Sequence, residues 1–118
     1  MLPKNLRLSK NSAYKATYKV RNSVSDKYFI VFAGKRKTSP DILTKIGFVV
    51  SKKNHKRAVK RNRLKRLMRE SFRTGLKEKN LLNSENYISI VIVARDNAVG
   101  QNYKTVKNSI LNLVEKLK

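Results

Sequence analysis

Lys52-Lys53-Asn54-His55-Lys56-Arg57-Ala58-Val59-Lys60-Arg61-Asn62-Arg63-Leu64-Lys65-Arg66-Leu67-Met68-Arg69-Glu70-Ser71-Phe72-Arg73 holds 11 Lys or Arg in 22 residues, with Glu70 the only acid. Its apolar residues are spaced for a helix. Leu64, Leu67, Met68, Ser71 and Phe72 follow the i, i+3, i+4, i+7, i+8 pattern, all within about 80° of Leu64 on a wheel of about 100° per residue. Asn62, Arg66, Arg69 and Arg73 fall at about 140–200°, on the opposite side, flanked by Arg61, Lys65 and Arg63. The spacing predicts a helix over about 57–76, with one stripe against a core and a cationic remainder. Val59 breaks the stripe, which predicts an irregular first turn or a turn packed on the preceding strand.

Apolar runs on either side complete the unit. Lys45-Ile46-Gly47-Phe48-Val49-Val50 and Tyr87 to Ala94 are rich in β-branched and aromatic residues and read as strands. Further out, Tyr28 to Ala33 reads as another strand, stopped by Gly34 and followed by a loop through Ser39-Pro40. A short extra strand is signalled weakly near Arg21–Val24. Ser9 to Val20 predicts a short first helix with Ser9 as its N-cap. A last helix, over about 102–117, places Tyr103, Val106, Ile110, Leu113, Val114 and Leu117 on one face. Residues 1–8 read as an extended basic arm, with no apolar pattern to hold it in place. With no internal repeat and no Gly/Ser-rich linker, residues 1–118 are expected to form one domain. The order αβ(β)βαβα implies an α+β fold: a two-layer α/β sandwich with three helices on a mixed sheet of three to four strands.

Composition narrows the partner. Lys and Arg number 29 against 7 acids, a formal charge of +22. Self-repulsion of that size opposes the compact state, so a polyanionic partner is the simplest reason to keep it. Cysteine is absent, which excludes disulfides and thiolate metal sites. No apolar run approaches the roughly 18 residues of a membrane span, and Met1 to Lys10 lacks the apolar core of a secretory signal. A cytoplasmic protein without a membrane partner is expected.

The basic face can be read in two ways. A solvated charged face is the ordinary one, but such faces usually mix signs and gain from acid–base pairs one turn apart, whereas like charges there repel. Here Glu70 stands alone, and Arg outnumbers Lys from Arg57 to Arg73. The planar guanidinium grips phosphate oxygens in pairs. We therefore take Lys53, Arg57, Lys60, Arg61, Asn62, Arg63, Lys65, Arg66, Arg69 and Arg73 as candidate nucleic-acid-binding residues. Tyr14 and Tyr18, one turn apart, are either core residues or the wall of a shallow cleft where unpaired bases stack. Strand alternation pairs Ile30 with Phe32 and Phe29 with Val31, and only one pair can line such a cleft.

Signals for catalysis are sparse. His55 is the only histidine and sits among lysines; a surface role suits it better than a ligand or general base. Asp26, Asp41, Glu70, Glu78, Glu85, Asp96 and Glu115 form no close pair in sequence, and the chain has neither a Gly-rich phosphate loop nor a nucleophile motif. We expect no catalytic residue, metal site or cofactor in the chain itself.

The stretch from Lys52 to Phe72 closely resembles the signature of the ribonuclease P protein component. Ala58, Arg61, Asn62, Arg63 and Arg66 match its pattern, and Lys65 and Arg69 stand in register. Tyr14-Lys15-Ala16-Thr17-Tyr18 resembles that family's N-terminal aromatic pair, more often Phe with an aliphatic residue before the second ring. Ile30 and Phe32 resemble its cleft residues, and Tyr87–Ala94 followed by Arg95 its last strand. The resemblance implies that a large RNA, holding Mg²⁺, cleaves precursor tRNA at the 5′ end of the mature sequence. It implies that Arg61, Asn62, Arg63, Lys65, Arg66 and Arg69 dock on that RNA. Tyr14, Tyr18, Ile30, Phe32 and Lys52 would hold the substrate's 5′ leader, with no obligate protein partner. It also implies a left-handed crossover over about 45–94, against the right-handed form found in about 98% of parallel connections. A ribosomal or general RNA-binding protein is the main rival. A membrane-surface helix and an autonomous nuclease fit less well.

Overall fold

In the computed structural model, which describes residues 6–50, 58–79 and 81–117, three helices accompany four strands. The order is α1 (Asn11–Lys19), β1 (Asn22–Ser25), β2 (Phe29–Ala33), β3 (Lys45–Val50), α2 (Ala58–Lys77), β4 (Ser89–Ala94) and α3 (Tyr103–Glu115). The weakly signalled extra strand is β1. Single 3-10 turns at Leu82–Asn86 and Asp96–Ala98 lead into and out of β4. The sheet order is β1-β2-β4-β3, with β1/β2 and β2/β4 antiparallel and β3/β4 parallel. The strand–helix–strand unit therefore joins neighbouring parallel strands through α2. Lys52, Lys53, Arg57 and residues 1–5 of the arm lie outside the described residues.

Periodicity sets the main layer. Phe29, Val31, Ile90 and Ile92 point from the sheet into a core closed by Leu64, Met68 and Phe72 of α2 and by Val106, Ile110, Leu113 and Val114 of α3. Each such side chain, fully buried, contributes roughly 1.5–3 kcal/mol of transfer free energy. Gly75 continues the α2 stripe; a Cβ there would stand 2.7 Å from Leu81 and 2.8 Å from Leu111, so α2 and α3 meet closely at that point. Asp26 fixes the β1–β2 turn. One carboxylate oxygen accepts from the backbone N–H groups of Tyr28 (2.8 Å) and Phe29 (2.9 Å), and the other accepts from the Ser109 hydroxyl of α3.

Several local expectations need correction. Lys10, not Ser9, is the N-cap of α1, and its side chain makes no capping bond; the helix begins one residue later than a Ser9 cap implies. Val59 is 80% exposed, so the first turn of α2 is regular helix with an outward valine. Tyr103 is exposed because α3 starts there, capped by Asn102, whose side chain accepts from the Thr105 N–H at 2.9 Å. The last strand starts at Ser89; Tyr87 makes only an isolated bridge to Arg36.

The second sheet face carries α1. Strand register arranges its residues in three rows across β2, β4 and β3. Phe32, Val91 and Gly47 form the middle row, and Ile30, Val93 and Val49 the next. Gly34, Ser89 and Lys45 form the row on the other side.

Candidate nucleic-acid interface

Helix α1 lies over the middle row through two tyrosines. The Tyr18 ring meets Phe32 edge-on, with centroids 4.8 Å apart. Tyr14 rests on Gly47, where a Cβ would approach its phenol oxygen to 2.5 Å; only glycine lets the ring lie this close to β3. The Tyr14 hydroxyl donates to the Leu8 carbonyl at 3.1 Å, and Leu8 N–H donates to Ile46 at 2.9 Å, so the end of the arm is fastened along the β3 edge. Phe29 and Val31 are fully buried, whereas Ile30 and Phe32 are half-buried on the α1 side. That decides which pair shares a face with the tyrosines. Tyr18 is 36% exposed and Tyr14 half-buried, so neither ring belongs to the sealed core. Burial raises the pKa of both phenols; for Tyr14 the neighbouring Arg69 cation partly offsets this, and for Tyr18 the neighbouring Tyr14 adds to it.

Beyond the tyrosines the row Ile30–Val93–Val49 is only half-buried. Val49 and Val93 are members of this surface that strand-by-strand reading did not single out. The signal was present in the alternation of β3 and β4, but its phase could be fixed only once the register was known. The result is a shallow apolar floor beside two rings, suited to a flat ligand.

Helix α2 presents its cations, with Asn62 among them, in two groups. Lys60, Asn62, Arg63, Arg66 and Arg73 are exposed, while Arg61, Lys65 and Arg69 are half-buried along one flank at i, i+4, i+8. The wheel placed Arg69 with the outward group. Instead it joins Arg7, Tyr14, Gly47 and Phe48 around a hollow of about 80 Å³. Arg73 is held by Glu70 through paired contacts of 2.9 and 3.4 Å, and Arg63 donates to the Gln101 carbonyl at 3.4 Å. Arg66 stands outward between them. The basic helix and the tyrosine surface thus meet at Arg69.

Among the described residues, no three His, Cys, Asp or Glu side chains come together as a metal site. Asp26, Glu70 and Glu78 are engaged by Ser109, Arg73 and Lys107 respectively. No described helix is long and apolar enough to cross a membrane.

Comparison with known proteins gives one consistent result. A family model described as Ribonuclease P matches residues 2–118. The ribonuclease P protein component of Clostridium kluyveri is 34% identical over 110 residues, covering 93% of this chain and 92% of that protein. Among solved structures, the RNase P protein from Thermotoga maritima superposes with a TM-score of 0.77 at 25% identity, covering 95% of this chain and 97% of the other. The Staphylococcus aureus RNase P protein gives 0.73 at 26% identity, covering 93% of each chain.

Proposed function

The chain belongs to the ribonuclease P protein family, and from that premise we propose how it assists 5′-end maturation of tRNA. The polar side of α2, its exposed face and its half-buried flank together, docks on the catalytic RNA: Lys60, Arg61, Asn62, Arg63, Lys65, Arg66, Arg69 and Arg73, joined by Lys53 and Arg57. The surface of Tyr14, Tyr18, Ile30 and Phe32 receives the single-stranded 5′ leader of precursor tRNA, with Lys52 supplying charge. Single strands suit such a surface because every base has a face that can stack on an aromatic ring.

Cleavage itself falls to the RNA. We place the Mg²⁺ that would activate water with the RNA partner; among the described residues no three His, Cys, Asp or Glu side chains come together. The chain's own contribution is electrostatic and positional. Its +22 charge offsets phosphate repulsion where RNA and substrate approach, an effect that weakens as salt rises. The reading places the complex in the cytoplasm.

The observation that carries this reading is the arrangement of α2. One stripe closes the core while Arg66 and its neighbours project away from it, and Arg69 brings that cationic surface up to Tyr14. The deciding experiment assays precursor tRNA cleavage with the protein alone, the RNA alone and both together, at low Mg²⁺ and moderate salt. The protein alone should be inert, and the mixture should cleave faster than the RNA alone. Cleavage by RNA-free protein, or no gain on mixing, overturns the reading.

A further inference from the structure

Helix α1 divides its sheet face into two flanks. Tyr14 and Tyr18 occupy one; the other is lined by Ala13 and Ala16, with Thr17 between them over the sheet. On that second flank lies a cavity of about 310 Å³ bounded by Leu8, Ala13, Ala16, Gly34, Ile88 and the Thr17–Ser89 pair. Its size sits at the lower end of small-molecule sites, roughly 300–1,000 Å³.

The cavity exists because small residues fall on both walls. Alanines on α1 and Gly34 at the end of β2 leave a gap that larger side chains would close. Its polar floor is already bonded. Thr17 and Ser89 share a hydrogen bond of 2.6 Å, and the Thr17 hydroxyl also contacts the Ala13 carbonyl at 2.9 Å. The backbone joins β2, β4 and β3 through Ile88 N–H to Lys35 at 2.9 Å and Lys45 N–H to Ile88 at 3.1 Å. A ligand therefore meets apolar walls inside, with Lys35 and Lys45, both exposed residues, completing the lining.

We infer that this pocket is a second nucleotide site, which takes one unpaired base of a bound RNA between α1 and the row Gly34–Ser89–Lys45, with Lys35 and Lys45 on the adjoining phosphates. Charge complementarity selects the occupant. Two cations flank an apolar slot on a chain of charge +22, and a nucleotide within a strand joins a flat apolar ring to a permanent anion. An apolar peptide would leave both lysines unused. The inference rests on the reading of the chain as an RNA binder, and it adds a contact on the flank of α1 that faces away from Tyr14 and Tyr18.

The test is amide chemical-shift mapping of the full chain titrated with a single-stranded oligo-adenylate, with inorganic phosphate as a parallel titrant. The oligonucleotide should shift Ala13, Ala16, Gly34 and Ile88, and phosphate alone should leave Ala13 and Ala16 in place. Ala16→Leu, on an exposed helical position that leucine suits, should weaken binding at this flank about five- to tenfold, the low end for one base contact. The double substitution Lys35→Ala/Lys45→Ala should do the same without touching the cavity walls. Shifts confined to Tyr14, Tyr18 and Phe32 would overturn the second site and leave the RNA-binding reading standing. Equal shifts from phosphate and oligonucleotide would reduce it to an anion contact and overturn the base pocket. No shift on either flank would count against both readings.

Discussion

Thr17 and Ser89, 72 positions apart, share a buried hydrogen bond of 2.6 Å that ties α1 to the first residue of β4. Thr17 is the only buried residue of α1, so this contact is the helix's central anchor on the sheet. Thr17→Val keeps the shape but strands the Ser89 hydroxyl, which should cost about 1–3 kcal/mol. Ser89→Ala should cost less, because the Thr17 hydroxyl keeps the Ala13 carbonyl as its acceptor at 2.9 Å. Replacing both partners should cost less than the sum of the single changes, because apolar neighbours leave neither group unsatisfied. Urea unfolding of the four proteins measures the cycle; strict additivity would show that the hydroxyls act independently.

Glu70 and Arg73 should modulate RNA affinity in opposite directions. Arg73 is the first cause of the lowered Glu70 pKa, through a paired contact that occupies Nε and one terminal nitrogen of the guanidinium and offsets its charge. Arg66→Ala should flatten the slope of log affinity against log salt by somewhat less than one unit. Arg73→Ala should flatten it less, and Glu70→Gln, by releasing Arg73, should steepen it. Affinity for the ribonuclease P RNA measured across a salt series gives all three slopes. Equal losses from Arg66→Ala and Arg73→Ala would show that the Glu70 pairing has no bearing on RNA contact.

The Tyr14 phenol reports the junction of helix and cleft without any RNA. Burial raises its pKa above the ordinary tyrosine value near 10, and Arg69 pulls it part of the way back. Arg69→Gln should therefore raise it further. The sign for stability follows: a raised folded pKa means a contribution present below the ordinary value and lost as pH climbs through the folded one. Ring resonances of Tyr14 followed through an alkaline titration measure the shift. An unchanged titration in Arg69→Gln would remove Arg69 from the cleft margin.

Much of this architecture was legible because periodicity is local. The stripe Leu64, Leu67, Met68, Ser71, Phe72 and the face Val106, Ile110, Leu113, Val114 needed only spacing; all are buried as expected except Leu67, which is half-buried at the margin of the core. The cleft was half legible. Alternation separated Ile30 and Phe32 from Phe29 and Val31, but which pair lies beneath α2 and α3 depends on how the helices cover the sheet. Arg69 shows the limit of a helical wheel. The wheel assumes one direction for the core, whereas Tyr14 and the β3 edge approach α2 from the side and half-bury a residue drawn on the outer face. Thr17, where the resemblance implied an aliphatic residue, finds its partner in Ser89, and no local pattern joins residues so far apart.

Tyr18 offers the sharpest test of the leader surface. Its ring contacts Phe32 at 4.8 Å yet remains 36% exposed, so it can pack on the sheet and still present a face to a ligand. Base–aromatic stacking is worth roughly 1–3 kcal/mol per base by alanine substitution. Tyr18→Ala should then weaken precursor tRNA binding by about tenfold, since 1.4 kcal/mol is a factor of ten. Mature tRNA has no 5′ leader, so its binding to the same assembled complex should barely change. Damage to the α1–sheet contact would weaken both, and Tyr18→Phe separates the cases further by keeping the ring and losing only the hydroxyl. Parallel affinities of precursor and mature tRNA for the complex settle the matter. An equal loss for both substrates, with Tyr18→Phe unable to restore leader preference, would return Tyr18 to a purely packing role.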